Sequence, residues 1–94
     1  MAVVENVYYT EDKSVLENSL LKMIGFKYEG APTLDIDKKG FYLVIKAEEE
    51  KLQDEKIKEA LKNTEEIKDE EKEKILNKFQ ELEDNAAGGL ALFD

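Results

Sequence analysis

The sequence lacks several residue types on which protein chemistry usually depends. It contains no cysteine, no histidine and no tryptophan, and because all 14 basic residues are lysine it has no arginine either. A chain without cysteine has no disulfide, no thiolate nucleophile and no sulfur ligand for a metal. Without histidine, cysteine and arginine, the common sets of nucleophile, base and orienting group cannot be assembled. We therefore expect a protein that is not an enzyme and that has no catalytic residues.

Long apolar runs are also missing. No stretch approaches the roughly 18 apolar residues that span a bilayer, and the start, MAVVENVYYTEDK, lacks the basic and apolar segments of a secretory signal. The net charge of −9 opposes binding to anionic lipid and to nucleic acid. We expect a cytoplasmic protein that binds neither membranes nor nucleic acids directly.

The charge that is present is unevenly distributed. Residues 48–84 contain 15 Asp or Glu and 8 Lys, whereas residues 1–47 contain 7 and 6. The second half of the chain is therefore strongly acidic, and its surface is the most distinctive property of the sequence.

The first half has the composition of strands around one helix. Val3–Tyr9 is rich in β-branched and aromatic residues and predicts a strand. Thr10 is a suitable N-cap for a helix that ends at Gly25. Alternating residues on both sides of a turn predict a hairpin over 33–46. The apolar positions expected on the helix stripe are Val15, Leu16, Leu20, Met23 and Ile24.

From Ala47 onward the apolar period changes from 2 to 3.6, which predicts helices at about 48–62 and 69–85. The first is expected to bury Leu52, Ile57, Ala60 and Leu61. The second is expected to carry Ile75, Leu76, Phe79 and Leu82 on one stripe. The order β-α-β-β-α-α predicts a small α+β fold with an acidic helical pair at its C-terminal end. The predicted organisation is one domain over 1–85, comprising a strand, helix and hairpin segment over 1–47 and the acidic helical pair over 48–85, followed by a flexible C-terminal tail over 86–94.

One segment resembles the start of a calcium-binding EF-hand loop. Asp35-Ile36-Asp37-Lys38-Lys39-Gly40 supplies the first acidic positions and the glycine. Lysine stands at two ligand positions, however, since Lys39 is the fifth residue and Lys46 the twelfth. We expect a hairpin turn here and no metal site. No glycine-rich phosphate loop is present, so no cofactor is expected either.

The acidic helices suggest a more specific function. A helix rises 1.5 Å per residue, so carboxylates one turn apart can match the spacing of phosphates along DNA. In charge and size the chain is similar to small acidic proteins, several of them made by phages, that occupy the basic groove of a DNA-binding protein. The alternative interpretation is an ordinary solvated helical face, which the interspersed lysines favour. The residues expected to contact a partner are Glu66, Asp69, Glu70 and Glu73, with Tyr9 as an apolar companion.

The C-terminal residues suggest a different docking element. Leu90-Ala91-Leu92-Phe93 resembles the L-x-L-F core of the peptide by which bacterial proteins bind the replication sliding clamp, although Gly89 stands where glutamine is usual. The resemblance implies that Leu90, Leu92 and Phe93 enter a hydrophobic groove of the clamp. The same side chains are also able to fold back onto the core, or to enter another groove.

Taken together, these features predict a non-catalytic acidic protein-binding module, an inhibitor or adaptor that engages a basic and DNA-binding surface of a partner protein. One alternative is an adaptor that docks through its C-terminal tail. Another is a small structural subunit of an assembly, whose strand edges pair with neighbours. If Val3–Tyr9 is an edge strand, it offers a seam for a homodimer.

Overall fold

A computed structural model describes the backbone of residues 2–93 and the side chains of residues 2–84. It is an α+β fold, as predicted, with one antiparallel sheet, several helices and a single turn of 3₁₀ helix. The elements are β1 (Val3–Thr10), α1 (Lys13–Leu16), α2 (Ser19–Ile24), β2 (Lys27–Gly30), the 3₁₀ helix (Ala31–Leu34), β3 (Phe41–Glu48), α3 (Glu49–Leu52), α4 (Glu55–Ala60), β4 (Glu65–Ile67) and α5 (Asp69–Phe93).

The four strands lie in the order β2-β3-β1-β4. The prediction of a strand over Val3–Tyr9 is confirmed, and its second half is internal to the sheet. It pairs with β3 along its whole length and with β4 at Val7–Tyr9. The seam predicted along the whole of Val3–Tyr9 is not available, because β4, formed where the sequence indicated only a break between helices, covers Val7–Tyr9. Val3–Asn6 is paired on one side only, and a homodimer stays a prediction.

Helices cover both faces of the sheet, so the molecule has three layers. On one face α5 packs against the sheet, and on the other face α1 to α4 do so. Tyr8 and Tyr9 point to opposite faces and are both buried. Neither tyrosine faces solvent, because helices cover both faces of the sheet there. The core beneath α5 includes Val7, Tyr9, Leu34, Tyr42, Val44, Ile67, Ile75 and Phe79, and the opposite core includes Tyr8, Val15, Leu21, Leu43, Ile45, Leu52, Ile57 and Leu61.

The helix predicted after the first strand is divided into α1 and α2. Asn18 causes the division, because its side chain accepts hydrogen bonds from the backbone N–H groups of Leu20 (2.9 Å) and Leu21 (3.2 Å) and so caps a new helix. The break changes the phase of the apolar stripe. Leu21 becomes fully buried, whereas Met23, predicted in the core, is 82% exposed.

The N-cap of α1 is Asp12 and not Thr10. Asp12 accepts a hydrogen bond from the Ser14 N–H at 2.9 Å. Thr10 ends β1 and is buried, where its hydroxyl accepts from the Asp12 N–H and donates to the Asn63 carbonyl, both at 3.0 Å. The hydroxyl therefore ties the end of β1 to the loop that precedes β4.

The hairpin has a different first arm from the one predicted over 33–46. β3 forms as expected, but its partner is β2, with Gly30 opposite Phe41. The intervening residues begin with the 3₁₀ helix, in which Pro32 stands at an early position that suits its fixed φ and missing N–H. Leu34 belongs to that helix and is buried in the core beneath α5.

The two predicted acidic helices do not form a pair. The first, over 48–62, is divided into α3 and α4, with Asp54 capping α4 by accepting from the Lys56 N–H at 2.9 Å. Leu52, Ile57 and Leu61 are buried as predicted, whereas Ala60 is only partly buried. The second becomes α5, on the opposite face of the sheet. β4 lies between them in the sequence and forms an edge of the sheet. The chain therefore passes there from one face of the sheet to the other. None of the helices among the residues described is long and apolar enough to cross a membrane.

Candidate functional site

The outward face of α5 carries a row of carboxylates. Ile75 and Phe79 bury the inner face of the helix against the sheet. At 3.6 residues per turn, the opposite face is occupied by residues 70, 73, 77, 81 and 84. All five are exposed, and Asn77 is uncharged. We call the four acidic residues the acidic ridge; it extends for roughly 21 Å along the helix axis. The ridge consists of Glu70, Glu73, Glu81 and Asp84.

The ridge contains two of the four acidic residues predicted to contact a partner. Glu70 and Glu73 belong to it, and Asp69 precedes it at the start of the helix, turned by about 100°. All three are exposed. Glu66 lies on β4 opposite Tyr8, on the face of the sheet turned away from α5. The structure therefore places Asp69, Glu70 and Glu73 together and separates Glu66 from them.

Few cations neutralise the ridge. Among the residues described, the side-chain ion pairs are Lys27 with Glu83, Lys78 with Asp35 at 3.8 Å and Lys78 with Glu81 at 3.9 Å. An i,i+4 pair between Glu70 and Lys74, which their spacing favours, is not among them. Lys74 is exposed beside the ridge and offsets some of its charge. Within the described part of the chain, three of the four ridge carboxylates thus have no cation within 4.0 Å, and Asp84 accepts a hydrogen bond from the Gln80 amide at 3.1 Å.

Tyr9 offers no surface to a partner, contrary to the sequence-based expectation. Its side chain is 9% exposed and packs against Tyr42, with ring centroids 5.0 Å apart. Its hydroxyl donates to the Lys39 carbonyl, and the Lys38 ammonium lies 4.0 Å from the ring centroid. Burial raises the pKa of Tyr9, and the nearby Glu11 carboxylate raises it further. Tyr9 therefore anchors the loop before β3 to the sheet.

A second feature is a cleft of about 420 Å³ with a mixed polar and apolar lining, on the face opposite α5, which we call the Tyr8 cleft. The Tyr8 hydroxyl accepts a hydrogen bond from the Asn6 amide at 3.1 Å. Burial raises the pKa of Tyr8, and the negative charge of Glu66 adds to this effect. A tyrosine with a raised pKa keeps its proton at neutral pH, so it acts as a hydrogen-bond donor and acceptor and not as a base. The lining residues are Val4, Asn6, Tyr8, Glu49, Leu52, Gln53, Lys58, Leu61, Thr64 and Glu66.

A third feature is an apolar groove of about 610 Å³ beside β2. Its aromatic rings lie in sequence along the edge of the sheet, with Phe26 6.0 Å from Tyr28 and Tyr28 6.3 Å from Phe41. Tyr28 is 49% exposed. We call this surface the aromatic groove; its lining residues are Lys13, Leu16, Glu17, Lys22, Gly25, Phe26, Tyr28 and Phe41.

Sequence reasoning missed both concave surfaces because each is assembled from distant segments. The Tyr8 cleft joins alternate residues of β1 to side chains of α3, α4 and β4, and the aromatic groove joins α1 to β2 and β3. The alternation of Val4, Asn6 and Tyr8 indicates that they share a face, but nothing local shows which helices lie over it.

The predicted docking residues Leu90, Leu92 and Phe93 lie outside the residues whose side chains the structure describes, and the tail predicted over 86–94 remains a prediction. At the site compared with an EF-hand loop, Asp35 adopts a left-handed conformation, with φ of 62°, and ends the 3₁₀ helix. Across residues 2–84, no three acidic side chains are close enough together to hold a metal ion.

Comparisons with protein families, with curated proteins and with solved structures found no match to this chain.

Proposed function

We propose that this chain is a non-catalytic acidic protein-binding module that acts in the cytoplasm as an inhibitor or adaptor. In this proposal the acidic ridge engages a basic surface of a partner protein, and the DNA-binding surface of the partner is the surface that it fits best. The Tyr8 cleft and the aromatic groove are not involved in this contact.

The observation that supports the proposal most directly is the alignment of the ridge. Its four carboxylates lie on one exposed helical face, and Glu70, Glu73 and Asp84 have no cation within 4.0 Å among the residues described. A row of carboxylates that is only partly compensated, here by Lys78 and Lys74, produces a stronger local potential than the same charges each paired with a lysine. The row is also straight, because one helix holds all four residues, although the uncharged Asn77 leaves a gap of about 12 Å between Glu73 and Glu81.

Charge complementarity of this kind acts mainly on the rate of association and on the choice of partner. A positive surface is steered toward the ridge, and the effect weakens as salt screens the charges. Exposed ion pairs at the rim of an interface add little affinity individually, so the contact depends on several carboxylates acting together.

The test compares two variants of equal charge. The ridge variant replaces Glu70, Glu73 and Glu81 by Gln and Asp84 by Asn. The control variant replaces four exposed glutamates elsewhere in the molecule by Gln, which removes the same charge from other surfaces. The control positions are Glu17, Glu50, Glu55 and Glu59.

Each form is used to capture proteins from a bacterial lysate, with identification by mass spectrometry. We expect the unmodified chain and the control variant to capture a basic DNA-binding protein and the ridge variant to lose it. Duplex DNA added as a competitor is expected to release that protein. Equal capture by the two variants would contradict the proposal, and capture that resists duplex DNA would show that a surface other than the DNA-binding one is used.

A further inference from the structure

Apart from Val3–Asn6 of β1, which β4 does not cover, the sheet has two edge strands, and their side chains differ in charge. β4 forms one edge with Glu65 and Glu66, so a second copy pairing there would bring like charges together. β2 forms the other edge with the sequence Lys27-Tyr28-Glu29-Gly30. No strand of the described residues pairs with its outer side. This edge combines both signs of charge with a half-exposed aromatic ring.

The backbone groups that face outward from β2 can be identified from the hydrogen bonds on its inner side. The Ala31 N–H donates to the Gly40 carbonyl at 3.0 Å, in continuation of the β2–β3 register. Along an antiparallel strand the direction of these groups alternates. Lys27 and Glu29 therefore bond toward β3, and Tyr28 directs both its N–H and its C=O away from the sheet.

A bond on the other side of β3 gives the same result. The Glu49 N–H donates to the Ala2 carbonyl at 2.9 Å, so odd-numbered residues of β3 bond toward β1. Even-numbered residues such as Tyr42 then bond toward β2, where the partner of Tyr42 is Glu29. Tyr28, one residue earlier, is again directed to the open edge.

This edge is complementary to itself. If two copies of β2 lie antiparallel with Tyr28 opposite Tyr28, each Tyr28 N–H meets the C=O of the other. In the same register Lys27 lies opposite Glu29 of the second copy, and Glu29 lies opposite its Lys27. Lys27 also pairs with Glu83 of its own chain, so in the dimer its ammonium lies between two carboxylates. The Lys–Glu pairs occupy the positions without backbone bonds, where Cα atoms are about 4.5 Å apart and side chains are closest. Phe26 falls opposite Gly30, where the absent side chain leaves room for the ring.

We propose that this chain forms a two-fold symmetric homodimer through β2, so that two four-stranded sheets join into one of eight strands. Tyr28 points to the same face of the sheet as its partner Leu43. The aromatic grooves of the two copies therefore lie on one side of the joined sheet and meet at the two-fold axis. Burial of Phe26 and Tyr28 there supplies an apolar contact beside the backbone bonds. The dimer does not depend on the function proposed above.

The dimer would also place both acidic ridges on the opposite side of the joined sheet. Glu83 of α5 pairs with Lys27 of β2, so the helix reaches the edge that forms the seam. Two rows of carboxylates related by a two-fold axis resemble the two strands of a duplex more closely than one row does.

The experiment is sedimentation equilibrium of the full chain over a range of concentrations, with two charge variants. We expect a species of twice the 10.8 kDa chain mass. Glu29→Lys places Lys opposite Lys27, and Lys27→Glu places Glu opposite Glu29, so each variant alone should dimerise about tenfold more weakly or worse. An equimolar mixture of the two restores opposite charges at both pairs and should form a heterodimer. Glu66→Lys, at the other edge, is the matched control and should leave the dimer unchanged.

Hydrogen exchange adds a readout at the seam. The Tyr28 amide has no strand partner within the described residues of one chain, so its exchange should slow markedly as the dimer forms. A chain that remains at 10.8 kDa at every concentration would overturn the proposal. So would a dimer that Glu29→Lys does not weaken, or a mixture of the two variants that fails to dimerise.

Discussion

At the scale of the residue, Gly40 shows how one position without a side chain fixes the route of the backbone. It has φ of +95°, and a Cβ there would lie 2.7 Å from the Thr10 carbonyl oxygen and 2.8 Å from the Tyr9 hydroxyl. The glycine thus lets the loop before β3 approach the end of β1, where Tyr9 holds it.

Gly25 provides a matched comparison, because it has φ of +90° but no atom within 4 Å of the Cβ position. Gly25→Ala should lower the free energy of unfolding by about 1–3 kcal/mol, the cost of an unfavourable backbone conformation alone. Gly40→Ala should lower it further, since the overlap adds to the same cost. Urea unfolding of the two variants measures the difference, and equal destabilisation would show that the loop relaxes freely.

Local sequence indicates backbone requirements of this kind better than it indicates exposure. The sequence predicts that Gly25 ends a helix, and it does so. Tyr9 is expected from the sequence to contact a partner but is buried, because exposure depends on what covers the sheet. The elements that cover it, chiefly α5 and the 3₁₀ helix, are distant in the sequence.

At the scale of the element, two predicted long helices are each divided into two short ones. In both cases an Asn or Asp side chain caps the N-terminus of the second short helix. Asn18 divides the first predicted helix, and Asp54 divides the second. Both side chains accept from backbone N–H groups that would otherwise be unpaired. The result is a set of short segments over one face of the sheet and one long helix over the other.

Asn18→Ala should lower the free energy of unfolding by about 1 kcal/mol, because two helix-terminal N–H groups lose their acceptor. Asn77→Ala is the control, since Asn77 is exposed on α5 and makes no such cap. It should be neutral or slightly stabilising, as alanine is the better helix former. Both are measured by urea unfolding, and a similar loss in the two variants would contradict a capping role for Asn18.

Periodicity predicts the elements that have one strong apolar pattern. The strand over Val3–Tyr9 is identified correctly. On the predicted stripe of α5, Ile75 and Phe79 are buried, and Leu76 and Leu82 are partly buried. β4 is missed because it has three residues, two of them glutamate, and only its pairing with β1 makes it a strand. The first strand of the hairpin is predicted in the wrong place. Leu34 and Ile36 alternate with polar residues as in a strand, but they pack beneath α5, and β2 pairs with β3 instead.

At the scale of the whole molecule, the sheet separates the acidic segments into two surfaces. α3 and α4 lie on one side and α5 on the other, so the 15 acidic residues counted over 48–84 do not form one patch. The sequence predicts the acidic character correctly, but the direction of each carboxylate depends on the path of the chain around β4. For this reason Glu66 is separated from Glu70 and Glu73, and Glu81 and Asp84 join them on the ridge.

We propose that the acidic ridge binds a basic partner. The salt dependence of that binding is the sharpest test of this proposal. The measurement is the affinity of the captured DNA-binding protein for the unmodified chain, the ridge variant and the control variant over a series of salt concentrations. We predict that affinity falls steeply with salt for the unmodified chain and the control variant. The ridge variant should bind weakly and with little response to salt. The same salt dependence in all three forms would contradict binding of the partner through the acidic ridge.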